Sequence, residues 1–162
     1  MATLRPATPD DAQDLTRLRG HMHTAMGAVL TDGWREACEA AFARRLAGPG
    51  FVAFVVEVDS RAVCSGAGWV EEHLPSPGQV DGRRGHIASM STDPDHRRQG
   101  HARVVFAALM EWFTDQGISR VDLRATEDGR PLYESFGFRE LGGATMAWNA
   151  AGTTPGLGLR SS

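Results

Sequence analysis

Arg97-Arg98-Gln99-Gly100-His101-Ala102 lies between a short strand-like run and a strongly apolar helical one. That order suits phosphate chemistry. The first N–H groups of a helix have no partner inside it, and the positive end of the helix dipole adds to their pull on an anion. Gly100 lets the backbone approach a ligand, while Arg97, Arg98 and His101 put charge at the rim. On its own the stretch is equally consistent with a polar turn that starts a helix. No Gly-Lys-Ser/Thr follows, which excludes a Walker loop, and the triple-glycine spacing of a dinucleotide fingerprint is absent.

Other residues offer proton chemistry. Glu71, Glu72, His73 and His86 are candidate bases near the end of a predicted sheet. In a strand, Glu71 and Glu72 point to opposite faces, so only one of them can face a cleft. Cys38 and Cys64 are isolated, without a metal or redox spacing, and read as small buried side chains of a reducing compartment. The six histidines show no ligand spacing, and no metal site is expected.

A second segment stands downstream of the first. A predicted strand at 120–126 leads into Gly129-Arg130-Pro131-Leu132-Tyr133-Glu134-Ser135-Phe136-Gly137-Phe138. The first block resembles the Arg/Gln-x-x-Gly-x-Gly/Ala pyrophosphate loop of the GNAT superfamily of acetyl-coenzyme A-dependent N-acetyltransferases. The Leu-Tyr-Glu-x-x-Gly-Phe ending resembles the next block of that superfamily, at the expected distance. The resemblance covers about residues 2 to 149.

It implies acetyl-coenzyme A as cosubstrate, its pyrophosphate on the backbone amides from Arg98 to Ala102. Its pantetheine arm would lie along Met90-Ser91-Thr92 as an added strand would. It also implies a bulge in that strand that frees an N–H for the thioester oxygen. Tyr133, the sole tyrosine, lands where the family keeps its general acid. The cofactor-binding set is then Met90, Ser91, Thr92, Arg97, Arg98, Gln99, Gly100, His101 and Ala102, and the catalytic set Tyr133 with Glu71 or Glu72. The acceptor pocket is expected along His21, Met22, Met26, Trp34 and the 71–77 segment. Some positions depart from the family's pattern. Ser89 and Thr126 stand where many relatives carry asparagine, and Ser91 and Thr92 where they carry aliphatic or aromatic residues. Side-chain contacts to the ligands are in question there; main-chain contacts are not.

The elements that must position these residues follow from pattern. A chain of 162 residues with 41% hydrophobic and 23% charged side chains fits one domain with a core of its own. A strand at 3–7 precedes a helix capped by Asp10 or Asp11, and a second helix covers 33–46. Strands at 51–58 and 62–70 form a hairpin over Asp59-Ser60-Arg61. A breaker-rich loop at 75–85 is expected to be mobile. A strand at 86–92, a helix at 102–116, the strand at 120–126 and a short helix bearing Tyr133 follow. Strands at 138–141 and 145–148 would close the fold as a hairpin. Residues 1–150 thus read as an α+β, mostly antiparallel mixed sheet with helices on both faces, and residues 151–162 as a flexible tail.

The net charge of −3 and the lack of interleaved aromatics exclude a nucleic-acid binder. No leader-like apolar core and no span-length apolar run is present, so a cytoplasmic protein away from the membrane is expected. Exposed strand edges would allow a homodimer. The expected activity is acetyl transfer to a primary amine of a small molecule or peptide. The alternatives are another acyl group, a hydroxyl acceptor, or an acyl-coenzyme A-binding sensor without turnover.

Overall fold

The computed structural model describes residues 1–150. Its centre is a hairpin of β-branched and small residues. β2 (Phe51–Val58) and β3 (Arg61–Glu72) turn over Asp59 and Ser60, whose φ values of 49° and 61° give the mirror-image turn that matches strand twist. β1 (Thr3–Pro6) pairs antiparallel with β2, and β4 (Arg83–Thr92) with β3. β5 (Val121–Leu123) joins β4 in parallel, so the sheet runs β1-β2-β3-β4-β5. A parallel neighbour needs a long crossover. α3 (His101–Asp115) supplies it.

Both faces are covered. α1 (Ala12–Ala25) and α2 (Asp32–Leu46) set Leu15, Leu18 and Phe42 on Ala53, Val55 and Ala67. On the other face α3 sets Val105, Phe106, Leu109 and Phe113 on Val56, Val63 and Ile87. α4 (Arg130–Ser135) packs Leu132 and Tyr133 against that second core. Full burial of such side chains stabilises the fold by about 1.5–3 kcal/mol each. Phe113 lies flat on the sheet only because Gly68 and Gly85 are beneath it. A Cβ at Gly68 would sit 2.9 Å from the ring, and one at Gly85 2.5 Å.

The mixed α+β sheet with helices on both faces is as expected from the sequence. The closing hairpin at 138–141 and 145–148 is not present. Phe138 packs against Phe106, but beyond it Leu141, Met146 and Trp148 are 63%, 91% and 85% exposed. β5 is shorter than its predicted run, so it offers only a three-residue edge for pairing. Little apolar burial is available there to offset the entropy of ordering two more strands. The breaker-rich loop is better organised than its composition suggests. Gln79 is buried, bonded to the Arg83 carbonyl and the Arg84 side chain, and β4 starts at Arg83. The expected tail, 151–162, lies outside the described residues. Among those residues no helix is long and apolar enough to cross a membrane.

Candidate functional site

β4 and β5 hold together only at Gly85–Val121, His86–Asp122 and Ile87–Leu123. β5 then ends while β4 runs on to Thr92, so among the described residues the β4 edge from Ala88 onward has no strand partner on that side. At the same level the register with β3 slips. Ser65 faces Ser91 and Ala67 faces Ala88, so Ser89 and Met90 share Gly66. This is a β-bulge, with Ser89 in the left-handed region at φ 62°. Sheet pairing fails on one side of β4 exactly where the strand is kinked on the other.

The side chains along this edge are already engaged. Met90 lies under α3, where a Cβ on Gly66 would collide with its Sδ atom. Ser91 Oγ donates to the Leu18 carbonyl at 2.7 Å, and Thr92 Oγ1 donates to Cys64 Sγ at 3.1 Å. What the edge offers a ligand is therefore main chain. Burial pushes the Cys64 thiol up to about 11, so it is an inert core group. Asp93 ends the strand and is fixed by Arg17 at 2.6 Å and His21 at 3.1 Å.

Beyond Asp93 the chain passes through Pro94–His96 into the basic loop. Arg98 and Gly100 take φ values of 62° and 83°, and Gly100 is the N-cap of α3. No side chain caps this helix, and a Cβ at Gly100 would meet nothing within 4 Å. The first-turn amides thus have no side-chain cap among the described residues, as an anion site requires. His96 Nδ1 and His101 Nε2 are buried atoms without a hydrogen-bond partner in the same loop region. Arg97 is turned back onto the Thr92 carbonyl at 3.3 Å, and Arg98 is exposed. An uncapped helix start, orphaned imidazole nitrogens and a free strand edge suit a long ligand with a pyrophosphate and an amide-bearing arm.

Tyr133 lies on α4, packed against the α3 side of the sheet. Its ring packs on Phe106 at 5.1 Å and Phe138 at 6.4 Å. Burial pushes its hydroxyl above the ordinary value of 10, and among the described residues that hydroxyl has no hydrogen-bond partner.

On the α1/α2 face, next to the bulge, lies a cavity of about 190 Å³. Ala88 and Ser89 form its β4 wall, Phe51 and Trp69 an aromatic wall, and Arg19, Cys38, Phe42 and Arg45 its helical side. Arg19 Nη1 donates to Ser89 Oγ at 2.9 Å. A larger cavity of about 520 Å³ lies between Asp14, Arg17, Arg35 and Arg61, and touches neither β4 nor α3. Only the smaller one adjoins the bulge.

The carboxylates separate as strand alternation requires. Glu71 shares the face of Trp69, accepting from its Nε1 at 3.0 Å and lying 3.0 Å from His73 Nε2. Burial works against its charge, but the hydrogen bonds from His73 and Trp69 outweigh it and hold the carboxyl below its usual range. His86 packs on Trp69 at 4.7 Å with the rings tilted by 39°, so Glu71, His73 and His86 gather at one end of the aromatic wall. Glu72 alternates to the other face and is exposed, outside that group. His21, Met22, Met26 and Trp34, expected to line the acceptor pocket, do not line this cavity. His21 is taken by Asp93, and Trp34 packs on His23 at 5.7 Å. Sequence reasoning missed Arg19, Phe42, Arg45 and Phe51, which three separate elements, α1, α2 and β2, bring together.

Known proteins align with this arrangement. The model of the acetyltransferase (GNAT) family matches residues 15–138. A curated relative, the uncharacterised N-acetyltransferase YsnE of Bacillus subtilis (strain 168), is 35% identical over 79 residues. That match takes in 44% of this chain and 52% of YsnE, so the chain spans about half the length of this relative. A GCN5-related N-acetyltransferase from Ralstonia eutropha JMP134 superposes with a TM-score of 0.79 at 27% identity, covering 94% of this chain and 100% of that one. A predicted acetyltransferase from Clostridium acetobutylicum, crystallised with acetyl-CoA, gives a TM-score of 0.83 at 23% identity. There the coverage is 91% of this chain and 96% of the other.

Proposed function

The chain belongs to the acetyltransferase (GNAT) family, and on that premise we propose that it transfers an acetyl group from acetyl-CoA to the primary amine of a small molecule, with Tyr133 as general acid. One observation carries the reading. The β4 edge loses its partner beyond Ile87, beside a bulge, and leads directly to an uncapped helix N-terminus.

When bound, acetyl-CoA supplies the activated thioester. The first-turn amides of α3 and the Arg98–Ala102 backbone hold its pyrophosphate, with Arg97 and Arg98 adding charge at the rim. Main-chain groups of Met90, Ser91 and Thr92 hold its arm, which explains why their side chains are free to serve the fold. The bulge turns one N–H of β4 out of the ladder toward the carbonyl that gains charge, and such a donor contributes about 10²–10³ in rate.

The amine enters from the α1/α2 face and its nitrogen bonds to the acetyl carbon as the carbon–sulfur bond breaks. Tyr133 gives its hydroxyl proton to the departing sulfur. Its raised pKa keeps that proton in place across the physiological range. The proton lost by the amine leaves through water toward the Glu71–His86 end of the wall, where Glu71 is held as a fixed negative charge. A cavity of about 190 Å³ favours a small acceptor over a peptide chain.

The test is free-thiol release from acetyl-CoA across a panel of small amines. Turnover with at least one amine is expected. Acetyl-CoA binding without release for every amine would replace the transferase with an acyl-CoA-binding module.

A further inference from the structure

Two arginines face the cavity beside the bulge without a carboxylate of their own. Among the ion pairs of the described residues, Arg5, Arg17, Arg61, Arg120 and Arg130 are each within 4 Å of an acidic side chain, while Arg19 and Arg45 are not. Arg19 spends one N–H on Ser89 Oγ. Among the described residues Arg45 spends none on any side chain, and its Cζ sits over the aromatic wall, 4.4 Å from the Phe51 centroid and 4.5 Å from that of Trp69. Phe51 and Trp69 are themselves stacked, their planes 20° apart. Two rings thus position the guanidinium while its N–H donors remain unspent on side chains. Glu71 is the negative charge whose field reaches Arg45, and its two oxygens already serve Trp69 and His73. One negative charge against two positive ones leaves the cavity a net cation.

The rest of the lining is small or apolar: Ala41, Phe42, Ala67 and Ala88. Arg19 and Arg45 are half-buried, so each has shed part of its hydration without gaining a carboxylate of its own, and an anionic ligand would supply that countercharge. An arginine fork presents parallel donors that match a carboxylate or a phosphate, which a bare ammonium does not. From this we infer that the acceptor is a small amine that also carries an anionic group, bound through Arg45 with Arg19 beside it, and with a compact apolar body against Phe51 and Trp69. The inference rests on the transferase reading for the word acceptor. The anion site itself does not depend on it.

The experiment compares matched acceptors that differ only in the anion. Leucine and 3-methylbutylamine share an apolar body, with and without a carboxylate, and O-phosphoethanolamine supplies the phosphate arm. Thiol release is measured for each with the full chain and with Arg45→Met, which keeps an unbranched side chain against the rings but neither the guanidinium nor its charge. For the preferred anionic amine, KM is expected to rise about tenfold to a hundredfold in Arg45→Met, with kcat little changed, as suits the loss of a charged hydrogen bond. The neutral amine should show no such rise, and Arg45→Lys should recover part of the loss. Acetyl-CoA affinity and thermal melting of each variant show that the fold and the coenzyme site are intact.

An independent arm uses Cys38, which lines the same cavity. Leucine or O-phosphoethanolamine should slow its alkylation by iodoacetamide in the absence of acetyl-CoA, and 3-methylbutylamine should not. Equal or better turnover of the neutral amine, unaltered by Arg45→Met, would overturn the anionic acceptor while leaving the transferase standing. Protection of Cys38 by the anions without any thiol release would do the reverse, keeping the anion site and removing the transferase.

Discussion

The Tyr133 side chain has one polar atom, and among the described residues it has no hydrogen-bond partner. Its ring is fixed by Phe106 and Phe138 while the hydroxyl stays free. Tyr133→Phe should therefore leave thermal stability and acetyl-CoA affinity nearly unchanged and lower kcat by about 10²-fold or more, within the usual range for a general acid. Equal kcat would remove Tyr133 from that role. Because burial raises its pKa, the protonated acid persists to above 10, so an alkaline fall in kcat assigned to it should begin only beyond that value and vanish in the variant. A pH–kcat profile of both proteins decides it.

At this scale the sequence revealed the loop and the tyrosine, because their chemistry is local to short runs. Ser89 was visible only as a departure from the pattern of relatives. Its φ of 62° gives that position a meaning, since asparagine tolerates the left-handed region better than most residues. Arg19, Arg45, Phe51 and Trp69 were not legible as a group, because long-range packing of α1, α2, β2 and β3 brings them together and no spacing records it.

Among the elements, α3 sits close to the sheet because glycines let it. Gly85→Ala would push a methyl into the fully buried Phe113 ring, within 2.5 Å of its nearest atom. Overpacking of this kind costs about 1–3 kcal/mol. Urea denaturation should show a lower midpoint of that size with the slope unchanged, and an unshifted midpoint would mean that Phe113 does not bear on the strand. At the other end of the sheet Arg5 binds Asp11 through two nitrogens at 2.8 Å and Glu57 at 2.8 Å, tying β1 to the start of α1 and to β2. The Arg5 hydrogen bonds hold the Asp11 carboxyl below its ordinary 3.8, against the effect of burial. A depressed carboxylate contributes stability that is complete above the unfolded value and is lost as pH falls through the folded one. The stability difference between the wild-type protein and Asp11→Asn should hence be constant near neutrality and shrink below about pH 4. Thermal melts across that range check the sign.

The elements were mostly readable from period and punctuation. α2, the β2–β3 hairpin and α3 follow their apolar patterns and their stops. The errors share one cause. Gln79 organises its loop through hydrogen bonds to Arg83 and Arg84 that composition does not reveal. The alternation at 138–148 resembles a hairpin, yet strands form only where an edge is long enough to receive them, and β5 is not.

Across the whole molecule, the sheet is a closed ladder from β1 to the first half of β4 and an open one beyond. Among the described residues this open stretch of β4 leads to the α3 N-cap, and its bulge borders the arginine-lined cavity. The proposed direct transfer would bring a donor on the edge and an acceptor in the cavity together at this one strand. Calorimetric titration of the wild-type chain and of Gly100→Glu checks acetyl-CoA binding at this opening, since a Cβ at residue 100 meets no other atom within 4 Å, while the strained φ of 83° and the new carboxylate both act on the loop that would hold the pyrophosphate. The expected result is one acetyl-CoA per chain, with affinity at least about tenfold weaker in the variant, the loss of roughly one charged hydrogen bond. No binding to the wild-type chain, or equal affinity in the two proteins, would contradict the account.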